Sequence, residues 1–139
     1  MKDELDSVIK KLINLSGDER TSLPLPDDSL ILQYEKNTGF TFSSDYKKVL
    51  KKVGNIFYGT IELLSLTKDE PYYGELIAAL SDARQQGLPD DWLPICEDNG
   101  SYYCITPEGM IRYWTTDGYS NDQWPNLASW INEVWIEGN

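Results

Sequence analysis

A chain of 139 residues with five tryptophans and nine tyrosines carries enough apolar mass for one packed domain. Its 23 Asp/Glu against 12 Lys/Arg give a formal charge of −11, a sign that repels nucleic acid and anionic lipid and favours basic partners. With no histidine and only two cysteines, the usual general base and both common nucleophile–histidine pairs are missing, and a zinc site would need carboxylates to complete it.

The charge is unevenly placed. Residues 1–69 hold ten Lys/Arg and eleven Asp/Glu, whereas residues 70–139 hold two Lys/Arg, Arg84 and Arg112, and twelve Asp/Glu. An acidic surface alone is most simply a device for solubility; it becomes informative where aromatic residues share it. No run approaches the ~18 apolar residues that a membrane span needs. The opening MKDELDSVIKK has acidic residues and no apolar run, unlike a secretory signal, so the expectation is a cytoplasmic protein with no membrane partner.

Taken in order, Leu5, Val8, Ile9, Leu12 and Leu15 recur at helical spacing, which predicts an amphipathic helix over residues 3–15 ending near Gly17. Residues 17–26 read as a proline-containing linker, with the core domain running from 27 to 139. Asp27 or Asp28 is placed to cap a second helix, with Leu30, Ile31 and Tyr34 on one face and Gly39 as its stop. Ser43 or Ser44 is placed to cap a third, with Tyr46, Val49, Leu50 and Val53 as the buried stripe and Gly54 at the end. Lys47, Lys48, Lys51 and Lys52 lie on its other face, a pattern that resembles a phosphate patch but more often marks a solvated face. Residues 56–66 read as one or two strands. Glu75 to Gln86 reads as a helix with Leu76, Ile77, Leu80 and Ala83 inward.

Residues 93–114, LPICEDNGSYYCITPEGMIRYW, read as three short strands with reversals at Asn99-Gly100 and at Pro107-Glu108-Gly109. Three-residue loops would pair Ile95 with Ile105 and Ile105 with Ile111. Leu93, Ile95, Tyr103, Ile105, Ile111 and Tyr113 then form a core face, and Cys96, Tyr102, Cys104, Arg112 and Trp114 an aromatic face that is either covered or used for binding. A two-residue Asn-Gly turn would shift the register by one and mix those sets. The favoured register also lets Cys96 face Cys104, so a disulfide is geometrically conceivable, although a cytoplasmic setting argues for free thiols. TTDGYSNDQWPN reads as a polar loop, and Leu127, Trp130, Ile131, Val134 and Trp135 predict a closing helix from about Asn126. Helices first, antiparallel strands later and a last helix give an α+β class: a central, mostly antiparallel sheet with helices packed on one side.

The order of these features resembles a known family. ILQYEKNTGFTFSSDYKKVLKKVGNIFYGTIELL, then WLPICEDNGSYYCITPEGMIRYW, then an aromatic loop and a last helix are similar to the SUKH superfamily of Smi/Knr-type proteins, over roughly residues 26–136. Two positions depart from its pattern: Gly54-Asn55 stands in reversed order, and Thr41-Phe42-Ser43-Ser44 lacks the usual proline. The resemblance implies a SUKH-like domain and, for bacterial members, an immunity role: binding and neutralising a polymorphic or contact-dependent toxin domain, often a nuclease. Fungal relatives imply a cell-wall synthesis regulator or scaffold instead. Neither branch implies catalysis or a cofactor.

Three functions are therefore weighed. As an immunity protein, the chain would set an acidic, aromatic surface against a basic toxin domain, with Glu97, Asp98, Asp117 and Asp122 as acidic contacts and Tyr102, Trp114, Tyr119 and Trp124 as anchors. Each residue also has a plain structural reading: Asp98 and Asp117 as turn formers, Tyr102 and Trp114 as ring packing under a helix. A scaffold with a cellular protein partner uses the same acidic half. An enzyme would need Cys96 or Cys104 as nucleophile without histidine, or Glu97 and Asp98 as a carboxylate pair, yet neighbours on a strand point to opposite faces. No metal site is expected, and the oligomeric state is open: rings exposed together would equally suit a homodimer contact.

Overall fold

The computed structural model describes residues 2–17, 19–21, 23–68 and 74–138, leaving aside the side chains of Lys2, Asp3 and Tyr119. The chain is α+β. Four helices, α1 (Lys2–Ser16), α2 (Asp28–Thr38), α3 (Ser44–Val53) and α4 (Leu76–Gln85), precede a sheet of β1 (Leu93–Asp98), β2 (Ser101–Ile105), β3 (Ile111–Thr115) and β4 (Gly118–Trp124). A short α5 (Leu127–Trp130) runs on into a π-helical stretch, Ile131–Ile136. The sheet is antiparallel throughout, in the order β1-β2-β3-β4.

The helix ends follow local chemistry. The Asp27 carboxylate accepts from the Leu30 amide at 2.9 Å, Ser43 Oγ from the Tyr46 amide at 3.1 Å, and Asn126 Oδ1 from the Ser129 amide at 2.8 Å. Gly39 closes α2 at φ 80°, where a side chain would be strained. Tyr34 of α2 ties two later segments together: its hydroxyl donates to Glu75 Oε2 at 2.6 Å and accepts from the Thr67 amide at 2.9 Å. Burial, and then the hydrogen bond to Glu75, push its phenol up to about 12.

The predicted stripes are right except at two positions. The buried line of α1 runs Leu5, Ile9, Leu12 and Ser16, leaving Leu15 48% exposed; that of α4 runs Leu76, Ala79, Leu80 and Ala83, leaving Ile77 37% exposed. In each case the face is narrower than the apolar residues on it, and the outlier sits about 100° away. The lysine row of α3 meets carboxylates: Lys48 reaches Asp6 at 2.7 Å, Lys51 reaches Asp28 at 2.6 Å, and Lys47 lies 3.8 Å from Glu35. That settles the row as a solvated, ion-paired face.

Residues 56–66 form isolated bridges, not named strands. Tyr58 pairs with Ile61 across a Gly59-Thr60 turn, Ile56 with Arg20, and Ser65 with Glu75. The Leu64 amide donates to the Ile95 carbonyl at 2.8 Å, so this extended segment shields the free edge of β1 with one bond.

The larger correction is β4. The polar stretch 118–124, expected as a loop, is a fourth strand that pairs Ile111 with Trp124 and Trp114 with Tyr119. Backbone pairing needs no apolar side chain, and the strand stands at the sheet edge where polar residues meet water. Its register shifts between Arg112 and Trp114, so the ladder there is irregular.

The closing helix starts at Asn126, where it was expected to begin, but its second half winds as a π-helix. The wider turn brings residues five apart onto one line. Trp130 above Trp135 and Ile131 above Ile136 are all buried. The buried Ile136 is a consequence that a 3.6-residue period misses.

Candidate functional site

Which face of the sheet is open depends on how β1 turns into β2. Asn99 at φ 51° and Gly100 at φ 89° form a two-residue turn with Asp98 opposite Ser101, the tight alternative to the favoured three-residue loop. A bulge between Pro94 and Cys96 then brings Leu93 opposite Ile105, on the face expected for it, while Cys96, expected on the other face, lies opposite Tyr103. Across the second reversal the expected register holds, with Ile105 opposite Ile111 and Tyr103 opposite Tyr113.

The consequences run against the predicted roles. Tyr102, Cys104 and Trp114, on the face expected to be either covered or used for binding, are 5%, 0% and 3% exposed, so that face is covered. Tyr102 and Trp114 face each other across β2 and β3 with ring centroids 6.3 Å apart, and Tyr102 shares a groove wall with Ala78, Ala79 and Asp82 of α4. Arg112 on the same face lies over the Trp92 ring at 5.5 Å and donates to the Ser120 carbonyl at 3.0 Å. Tyr102 and Trp114 are thus core residues, as their structural reading had it. Aromatic side chains too large to leave in water close this face.

Tyr103 and Tyr113, assigned to the core, are only half-buried. The Tyr103 ring lies 4.9 Å from Tyr113, 5.7 Å from Trp124 and 5.4 Å from Trp130, which stands 6.0 Å from Trp135. A chain of rings therefore leads from the surface into the closing helix, which lies on the Tyr103 side while α4 meets the Tyr102 side. Helical cover reaches both faces, and on the Tyr103 side Tyr113 and Trp124 stay half-buried.

Carboxylates stand beside these rings. The Tyr113 hydroxyl donates to Asp98 Oδ2 at 3.0 Å. Burial pushes the Tyr103 phenol up to about 12, and the charges of Asp98 and Asp122 add to it. Burial also raises Tyr113, and the same two carboxylates contribute. Asp122 is exposed, with its carboxylate 3.3 Å from Ser120 Oγ, and Asp117 is exposed at the tip of the β3–β4 turn.

Of the residues expected to bind, Asp98, Asp122 and Trp124 are brought together. Asp117 stands at a neighbouring turn. Glu97 points the other way, accepting from the Gly100 amide at 2.7 Å and lining the groove beside Tyr102 and α4. The Tyr119 side chain lies outside the described residues. Tyr103 and Tyr113 were missed, and the signal that finds them is the Asn-Gly turn, which puts Asp98 on their face.

The thiols do not face each other: Cys96 is opposite Tyr103 and Cys104 opposite Pro94. Both are free and buried. Burial raises both thiols well above their ordinary range, with the charges of Asp98, Glu97 and Glu62 adding at Cys96. Among the described residues, no group of three or more His, Cys, Asp or Glu is arranged to hold a metal ion. No described helix is long and apolar enough to cross a membrane.

The SUKH_5 family profile, described as "SMI1-KNR4 cell-wall", matches residues 5–136. The chain belongs to the SUKH family. A SUKH fold of this kind is also seen in a crystal structure titled as that of a protein from Pseudomonas syringae pv. tomato. It superposes with a TM-score of 0.84 at 25% identity, over 95% of this chain and 98% of that one. No curated protein matches the chain. Membership in the SUKH family points to an immunity-type role, binding another protein.

Proposed function

We propose that this chain is a non-catalytic immunity protein that binds and neutralises a toxin domain in the cytoplasm of the cell that makes both. The contact surface is the open sheet face: Asp98, Asp122 and Trp124 with Tyr103 and Tyr113, and Asp117 beside them. The observation that carries this reading is the joining of half-exposed rings to carboxylates, with the Tyr113 hydroxyl bonded to Asp98. Arg112 lies on the opposite face and Arg84 is on α4, near Asp90. Charge draws in a basic partner and rings backed by core tryptophans supply pre-formed anchors. A nuclease domain, whose cleft is basic to hold a phosphate backbone, has the complementary chemistry.

The family profile's description favours a second reading, a scaffold or regulator of the Smi/Knr type that presents the same face to a cellular protein. One experiment separates them: titration against the C-terminal domain of the large secreted protein encoded immediately upstream. Nanomolar binding that weakens with salt supports immunity. No binding, together with capture of an endogenous protein that Asp98→Lys abolishes, supports the scaffold.

A further inference from the structure

We infer that the open sheet face is a seat for an arginine side chain of the partner, its guanidinium stacking on one ring of the Tyr113–Tyr103–Trp124 cluster and donating to the carboxylates beside it, Asp98 and Asp122. This rests on the reading of that face as the partner-binding surface and narrows the partner's chemistry.

Two kinds of group meet here that separately would select different ligands. Three rings with centroids 4.9 and 5.7 Å apart, tilted 52° and 61° to one another, offer separate π faces, any one of which a planar cation can stack on. Asp98, fixed by the Tyr113 hydroxyl at 3.0 Å, and Asp122 offer acceptors at their border. A guanidinium is planar, weakly hydrated and carries five donors, so it can stack on a ring while its edge reaches carboxylates. A lysine ammonium is compact and strongly hydrated, and gains less from the rings. A metal ion would leave three rings without a role, and a nucleic acid would meet only negative charge. A second copy of this chain would set Asp98 and Asp122 against their own equivalents, because a twofold contact uses the same patch twice.

Pre-organisation adds a further argument. Tyr103 touches Tyr113, Trp124 and the buried Trp130, so the rings are held from behind before any partner arrives. Little side-chain freedom remains to be lost on binding.

The test compares two blocked peptides of equal charge, Gly-Arg-Gly-Arg-Gly and Gly-Lys-Gly-Lys-Gly, titrated into the full chain and followed by 15N NMR. The expected result is saturable shifts at the Trp124 indole N–H and the amides of Asp98, Tyr103 and Tyr113, with the arginine peptide tighter by about threefold or more. Asp98→Asn and Tyr113→Leu should each abolish that preference while the melting temperature stays within a few degrees. Equal affinity for both peptides overturns the seat, as do shifts confined to the groove of Glu75, Asp82 and Glu97, or a preference that survives both variants. The wider reading fails separately. If a protein partner binds through Asp98 without any arginine preference, only the seat is lost. If the arginine peptide binds as described but charge reversal of Asp98 leaves partner binding unchanged, the seat stands and the docking face lies elsewhere.

Discussion

The two faces of the sheet carry similar aromatic content and have opposite fates. Tyr102 and Trp114 sit beside Cys104 and are closed over; Tyr103, Tyr113 and Trp124 sit beside Asp98 and Asp122 and stay half open. Ring content does not decide which face a protein leaves available. Packing does: α4 lies against the Tyr102 side, whereas on the other side the closing helix meets Tyr103 through the Trp130 ring, 5.4 Å away.

The contrast is broken most directly by truncating a tryptophan on each face. Trp114→Ala should cost about 3–5 kcal/mol, since it empties a site that is 3% exposed, and Trp130→Ala, at 0% exposed, should cost as much. Trp124→Ala, at the half-open edge, should cost about 1–2 kcal/mol and weaken partner binding instead. Urea unfolding of the three variants checks this. A Trp114→Ala protein with the parent midpoint would remove the closed face from the core.

Charge comes next in size. Asp98→Lys, Asp117→Lys and Asp122→Lys together should slow partner association about ten- to a hundredfold at low salt, with a smaller change in dissociation. The salt dependence of the association rate should flatten with it. Stopped-flow rates across an ionic-strength series decide the matter, and a parent rate that ignores salt would sink the electrostatic part of the reading.

Why Tyr103 and Tyr113 stay half open, against the core reading, while Leu93, Ile95 and Ile111 of the same expected set are buried, turns on the first reversal. Alternation along Leu93–Trp114 correctly gave three strands, the register of β2 against β3, and the two sets of side chains on those strands. It could not show that Asn99-Gly100 makes the tight turn, because the bulge at Ile95 that reconciles this turn with Leu93 opposite Ile105 leaves no mark in an apolar run. The caps of α2 and α3, the Gly39 stop and most of the buried stripes were legible because they depend on side chains within a turn or two of one another. The edge strand β4 was not, since its pairing is backbone chemistry written in loop-forming residues, and neither was the π-helical winding that buries Ile136.

Alkaline pH should act on the closed interior before it touches the open face. Cys96 and Cys104 are neutral in the fold, with thiols raised above the unfolded value of about 8.5. The native state therefore holds protons that the unfolded state releases. Stability is full below about pH 8.5 and falls above it, by up to about 1.4 kcal/mol per pH unit for each thiol. Tyr103, pushed up to about 12, adds to the loss only above about pH 10, where an unfolded tyrosine ionises. Cys104→Ala should reduce the slope between pH 8.5 and 10, and native thiols should resist Ellman's reagent until the chain unfolds. Flat stability over that range, or rapid modification of the folded protein, would contradict their burial.

The smallest effect is the most discriminating, because one chemical change should have opposite signs in two places. Tyr46 is 1% exposed, and its hydroxyl has no hydrogen-bond partner among the described residues. Tyr113 is half-exposed, and its hydroxyl is bonded to Asp98. Tyr46→Phe removes a buried polar atom without breaking a bond and should leave stability unchanged or raise it, by about 1 kcal/mol at most. Tyr113→Phe breaks a bond whose partner water can replace, so it should lower stability by about 0.5 kcal/mol or less while loosening Asp98. Partner affinity should therefore fall in Tyr113→Phe and stay put in Tyr46→Phe, although both keep the ring. If the two variants moved stability and affinity together, the hydroxyl on the open face would be packing like any other, and Asp98 would owe its place to the turn alone.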